Sequence, residues 1–333
     1  MAGILQGLRR DYVRLLRDAI ASRIRGADVS IFHRFYRPPY GGGNQFLLAL
    51  RGEFERQGLR VENNTISNTT RACLFNSFNF DFDRLRRLRR QGCRMIHRVD
   101  GPIGSYRGRD DGTDRQIQKI NQELADFTVF QSQYSLDAHH VLGLKFNRPV
   151  AIMNAVDPGI FHPDDRRQEL RGRKIRLIST SWSSNPNKGA ATYQWLDQNL
   201  DWNQFDYTFV GQSEAVFRHI RAISSVASQE LADLLRQHDI YIAASLHDPC
   251  SNALLEALAC GLPAIYAQSG GHQEIAGEAG FGFSTPESIP ALLDRLVCEY
   301  EDRLCRISIP TLASVADRYL SVMGLSSDPP AIA

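Results

Sequence analysis

The chain has 333 residues, 43% of them apolar and 23% charged, with a formal net charge of +2. That length suits two domains, and that composition suits an ordinary globular protein. No apolar run approaches the roughly 20 residues of a membrane-spanning helix. The N-terminus, MAGILQGLRRDYVRLL, lacks a long apolar core and a small-residue cleavage site, so no signal peptide is expected. Six cysteines without a CxxC pair fit a reduced, cytoplasmic chain better than a disulfide framework or a zinc site.

The small net charge hides an asymmetry. Residues 1–150 hold 25 Lys and Arg against 15 Asp and Glu, and residues 151–333 hold 14 against 22. A basic half can face anionic lipid, an anionic acceptor or nucleic acid, or it can be a solvated arginine-rich surface. No base-stacking motif or nucleic-acid recognition module is visible, so specific nucleic-acid binding is not expected.

In chain order, residues 3–25 space Ile4, Leu8, Val13, Leu16 and Ile20 among arginines, which predicts an amphipathic basic helix. Such a helix lies on a membrane surface or packs across its own domain. VSIFHRF (29–35) reads as a buried strand, followed by the loop RPPYGGGNQF and a helix. Strand, glycine loop, helix is the opening of a doubly wound α/β domain. Further strands are predicted at 72–78, 94–99, 127–132 and 150–155, with helices over 81–92 and 116–126. The pattern restarts at IRLISTS (175–181), continues through YTFVG (207–211) and IYIAAS (240–245), and ends with helix SNALLEALACG and strand PAIYA. Two doubly wound, Rossmann-like parallel-sheet domains are therefore expected. The polar stretch 157–173 marks the boundary, giving domains 1–156 and 157–333, with the last helix able to pack back on the first domain.

The segment richest in chemistry is 248–274. Ser251 and Asn252 follow a proline where a helix starts, and Gly261 and Pro263 end it. The free N–H groups and partial positive charge of that helix N-terminus suit a diphosphate. Glu256 stands one turn in, placed for ribose hydroxyls. Asp248 precedes the helix at a strand end, where open α/β sheets bind ligands. The alternative is a capped helix of an ordinary βαβ unit that happens to carry an acid.

The run Asp248-Pro249-Cys250-Ser251, then Glu256-Ala257-Leu258-Ala259-Cys260-Gly261-Leu262-Pro263, then Gly270-Gly271-His272-Gln273-Glu274, resembles the donor-site signature of the retaining GT-B glycosyltransferases of family four, the glycogen-synthase-like and mannosyltransferase-like group. Asp248 and Glu256 keep the family's spacing of two acids, with Asp248 in place of the usual Glu. Asn154, Val156, Asp157 and Phe161 resemble the family's linker, with Ala155 in place of Gly. Lys188-Gly189 matches the lysine loop of the diphosphate site. No arginine stands there, and Trp182 and Ser183 occupy its neighbourhood. Gly211 ends the strand near the nucleotide base. Gly41-Gly42-Gly43 matches paired glycines that approach the phosphate, where the lack of a Cβ permits close contact; the triplet is not the GxGxxG of a nicotinamide site.

The resemblance implies GT-B architecture, two domains facing a central cleft, with an acceptor-binding N-terminal and a donor-binding C-terminal domain. It implies transfer of a sugar from a UDP-, GDP- or dTDP-sugar to a glycan or glycolipid hydroxyl, with retention of configuration and no metal or cofactor. Gly41, Gly42, Gly43, Lys188, Gly211, Ser251, Asn252, Ala253, Glu256, Gly271 and Glu274 would bind the donor. His97, Asp100 and Asp248 are the candidates for the reacting region, with the choice between His97 and Asp100 open. Location in the cytoplasm, with peripheral contact at an anionic inner membrane face, fits this reading. A degenerate non-catalytic nucleotide-sugar binder and a GT-B sugar-nucleotide epimerase are the alternatives.

Overall fold

The computed structural model describes residues 26–36, 41–76, 82–164 and 169–326. The predicted amphipathic helix at 3–25, and the membrane contact read from it, lie outside them. Among the described residues no helix is long and apolar enough to cross a membrane.

The first half alternates β1 (Val29–Phe32), α1 (Gly42–Arg56), β2 (Val61–Asn63), β3 (Ala72–Asn76), α2 (Phe82–Arg90), β4 (Arg94–Val99), α3 (Ile103–Arg107), α4 (Thr113–Leu124), β5 (Phe127–Phe130), α5 (Gln133–Val141) and β6 (Pro149–Ala151). These strands form one sheet in the order β2-β1-β3-β4-β5-β6. The second half runs β7 (Ile175–Ser181), α6 (Ala190–Asn199), β8 (Phe205–Gly211), β9 (Arg221–Ile223), α7 (Ser228–Arg236), β10 (Ile240–Ala243), α8 (Asn252–Ala259), β11 (Ala264–Ala267), α9 (His272–Ala276), β12 (Gly280–Phe283), α10 (Ile289–Cys298), α11 (Tyr300–Cys305) and α12 (Leu312–Met323). Its sheet has the order β12-β11-β10-β7-β8-β9. All strand pairs are parallel, so the central strands, such as VSIF and IYIA, are buried along their whole length. That is why they read as continuous apolar runs rather than alternating ones.

The core is layered by these apolar runs. In the first domain Val29, Ile31, Leu74 and Ile96 pack under Phe46, Leu47, Leu50 and Phe54 of α1. The final helix α12 joins the same cluster through Val315, Tyr319 and Met323. Thr311 caps α12 by accepting from the Ser314 amide at 3.1 Å, and Gly324 closes it in the left-handed conformation. Arg318 then donates to the Ala151 carbonyl at 2.6 Å. The chain therefore leaves the first domain after β6 and returns to it at its last described helix.

The connections place ligand-ready ends opposite each other. In the first sheet the strand order turns at β1 and β3, and in the second at β7 and β10. Open α/β sheets bind ligands beyond the carboxyl ends of strands at such a turn. Both turning points open on the same interdomain cavity, which is lined by His33 and Asn76 on one side and by Ser181 and Ala243 on the other.

Candidate functional site

The cavity encloses about 480 Å³. On the C-terminal side, Asn185 caps a short turn over Pro186–Lys188 by accepting from the Asn187 amide at 2.8 Å. This turn carries the Lys188 side chain into the cavity. There its ammonium donates to Asp248 Oδ2 at 2.9 Å. Burial alone would raise the Asp248 carboxyl, but Lys188 and His272 outweigh it and hold the group below its ordinary range. Burial likewise works against the Lys188 charge, and Asp248 reverses that effect, leaving the ammonium above its ordinary value. His272, buried and shifted down chiefly by burial, bonds Ser245 Oγ at 3.0 Å and the Ala267 carbonyl at 3.1 Å.

Next to this pair, Ser251 caps α8, its hydroxyl accepting from the Leu254 amide at 3.3 Å. Asn252 and Ala253, the first residues of the helix, line the cavity. Across the cleft α1 begins at Gly42, which lies against Asn252; a Cβ built on Gly42 would stand 2.5 Å from Asn252 Nδ2. Two helix N-termini thus meet at the cavity wall, each with amide hydrogens and a partial positive charge. Gly43 lines the same wall, with nothing within 4 Å of its Cβ position, whereas Gly41 is the exposed N-cap at φ 68°.

The N-terminal side holds a second ion pair. The Arg98 guanidinium, 1% exposed, donates to Asp100 Oδ1 at 3.2 Å, to Asn76 at 2.7 Å and to Asn154 at 3.0 Å. It also lies 5.2 Å from the Phe46 ring centroid. Gln131 donates to Asp100, and Asn154 donates on to Asn252 at 3.0 Å, joining the Arg98 cluster to the start of α8. Asp100 therefore faces the cavity, positioned by two donors. His97 does not. Side chains alternate along a strand, and β4 turns His97 to the opposite face from Arg98. His97 is fully buried, stacked on Phe75 at 4.4 Å and bonded to Asn121 at 3.1 Å. Of the two candidates left open for the reacting region, Asp100 lines the cavity and His97 does not.

The remaining predicted residues are dispersed. Glu256 is buried and lines a neighbouring cavity of about 330 Å³ with Gln45, Val156 and Asp157; Gly42 and Asn252 form the wall shared with the main cavity. Burial pushes its carboxyl up to about 8. Gly211 ends β8 beside Trp182, Val210 and Ser225, in a slot off the main cavity. Gly271 and Glu274 do not line the main cavity. Glu274 instead accepts from the backbone amides of Gln133 and Tyr134, at 2.8 and 2.6 Å, in the opposite domain. Gln131, Asn76, His33 and Arg98 also line the cavity, although no sequence motif singles them out. Single polar residues at strand ends carry no pattern. Arg98 does carry a signal: an arginine among the apolar residues of a central strand must find partners when buried.

Residues 199–302 match the family described as glycosyl transferases group 1. No curated protein sequence matches the chain. Among solved structures the chain is similar to sucrose-phosphate synthase from Thermosynechococcus elongatus, at 15% identity over 93% of this chain and 91% of that one, with a TM-score of 0.61. It is similar to the Anabaena protein HepE in complex with UDP-glucose, at 14% identity over 89% and 96%, with a TM-score of 0.62. It is also similar to the catalytic domain of starch synthase IV from Arabidopsis thaliana bound to ADP and acarbose, at 12% identity over 90% and 99%, with a TM-score of 0.66. The architecture is GT-B, with two parallel six-stranded sheets and their helices around one cleft. Among the described residues no group of three or more His, Cys, Asp or Glu is placed to hold a metal ion.

Proposed function

We propose that the protein transfers a sugar from a nucleoside-diphosphate sugar to an acceptor hydroxyl, with retention of configuration and without a metal. One observation carries this reading: the N-termini of α1 and α8 and the Lys188 ammonium meet at a single interdomain cavity. Departure of a nucleoside diphosphate concentrates negative charge on phosphate oxygens, and amides and a cation fixed in advance stabilise that charge. Lys188 and the amides at Gly43, Asn252 and Ala253 fill this role, which a divalent ion would otherwise take. Glu256 receives the ribose hydroxyls in the adjoining cavity. Asp248 and Asp100 hold sugar and acceptor hydroxyls from the two sides of the cleft, and enclosure between the domains limits hydrolysis. The similar structures with UDP-glucose and with ADP support a nucleotide donor. A glycan or glycolipid acceptor and a cytoplasmic location belong to the same proposal.

The loop at 182–189 lacks an arginine and position 248 is Asp. These features favour, as a second reading, a binder of nucleotide sugars that does not transfer them. A thermal-shift panel of UDP, GDP, dTDP and ADP with their sugars tests both. A ligand at a hundred times its Kd stabilises by about 2.7 kcal/mol. Nucleoside diphosphate released only when an acceptor is added establishes transfer. Binding without turnover supports the second reading, release without an acceptor marks an epimerase or hydrolase, and no stabilisation by any nucleotide rejects the donor site.

A further inference from the structure

Helix α5 is completed by the other domain. Its Ser132 cap accepts from the Ser135 amide at 3.0 Å, and the Ser132 carbonyl accepts from Leu136 at 3.3 Å. The two earlier amides, Gln133 and Tyr134, donate to the two carboxylate oxygens of Glu274. An N-terminal turn needs these donors satisfied and attracts negative charge. A carboxylate from 140 residues away meets both needs.

The segment before Glu274 is built to bring it there. Gly270 has φ +68°, and a Cβ on it would stand 2.2 Å from the Asp248 carbonyl oxygen. A Cβ on Gly271 would meet the Pro249 carbonyl at 2.5 Å and the Ser132 side chain at 3.2 Å. The two glycines let α9 press against the Asp248 loop and the foot of α5 at once. Tyr134 Oη also lies 3.3 Å from His247 Nδ1 across the same seam. Both carboxylate oxygens of Glu274 are turned to α5 in this state.

We propose that Glu274 is a positioning residue, the clasp that closes the two domains by capping α5 across the cleft. Closure then depends on a charge that touches no reacting group. Because Glu274 is exposed, the clasp is weakened by salt. This inference is independent of which substrate the cleft takes.

Small-angle scattering of the full chain without ligand tests it, through Glu274→Ala and Gln133→Pro. Proline is well tolerated at the first helical position, and Ser132, with φ −160° and ψ 161°, has the extended backbone that precedes proline. Gln133→Pro therefore deletes one clasp donor and keeps the helix. The closed-to-open ratio should fall about three- to fivefold in each variant at low salt, read as a larger radius of gyration. The double variant should open no further than Glu274→Ala. The wild type should itself expand as salt rises, and UDP should bind both variants with a correspondingly higher Kd. Identical scattering of wild type and Glu274→Ala overturns the proposal. So does a silent Gln133→Pro beside a Glu274→Ala that loses affinity only for the sugar-bearing nucleotide, since Glu274 would then be a sugar ligand. The scattering arm uses no nucleotide, so it fails separately from the donor-site reading.

Discussion

Lys188 and Asp248, sixty residues apart in the chain, form a 2.9 Å ion pair in the wall of the cleft. Each holds the other charged against burial. A diphosphate entering the cleft competes with Asp248 for the ammonium, and a donor sugar competes for the carboxylate. The two residues should therefore separate binding from transfer. Lys188→Met should weaken nucleoside-diphosphate binding at least tenfold and lower turnover by about 10²–10³. Asp248→Asn should leave nucleoside-diphosphate affinity equal or tighter while turnover falls. Calorimetry with the diphosphate and initial rates with the nucleotide sugar give the two readings. Equal loss of diphosphate affinity in both variants would contradict this division of roles.

Gly42 and Gly43 differ in why they are glycine. A methyl group at Gly42 collides with Asn252, so Gly42→Ala should force α1 away from α8 and lower the melting temperature by a few degrees. A methyl group at Gly43 meets nothing within 4 Å. Gly43→Ala should leave the melting temperature within about one degree, yet weaken donor binding by occupying the phosphate's approach. If Gly43→Ala binds nucleotide like the wild type, the phosphate does not approach along that wall.

Glu256 makes stability depend on pH in a defined direction. Its carboxyl is raised from 4.5 to about 8 by burial, so between these values the folded chain holds a proton that the unfolded chain has released. The stabilisation is complete below about pH 4.5 and is lost as pH rises through 8. Glu256→Gln should therefore gain on the wild type between pH 6 and 8.5 in thermal denaturation. Ribose hydroxyls donating to the carboxylate favour its ionised form. Nucleotide binding near pH 6.5 should accordingly release a proton, seen as a heat that changes with buffer ionisation enthalpy. Binding without proton release would remove Glu256 from the ribose site.

His97 and Asp100 offer opposite outcomes from neighbouring positions. His97→Ala leaves a hole against Phe75 and Asn121 and should cost about 2–4 kcal/mol of stability, with turnover per folded molecule unchanged. Asp100→Asn should lower turnover ten- to a hundredfold. Chemical denaturation and initial rates check both, and a turnover loss in correctly folded His97→Ala would return the histidine to the reaction.

The central strands were legible because burial on both faces leaves continuous apolar runs, and the start of α8 because Ser251 and Gly261 have cap chemistry. The edge strands β2 (VEN), β9 (RAI) and β12 (GFGF) are only partly buried and offer no continuous apolar run to be seen. In β4 the length and position were legible, but the face was not: one residue of register decides whether His97 or Arg98 looks into the cleft. The partners Asn76, Gln131 and Asn154 come from separate strand ends and linkers, and only the folded chain brings them to one guanidinium. Glu274 was legible as part of a motif, while the amides that occupy it lie in the other half of the sequence.

The return of α12 to the first sheet changes what a domain of this protein is. A polypeptide cut after residue 156 would carry every strand of that sheet but lack Val315, Tyr319 and Met323, leaving the faces of Phe46 and Leu50 open to water. The smallest autonomous first half is therefore a discontinuous one, made from both ends of the described chain. Two crossings of the polypeptide between the halves also act as parallel tethers.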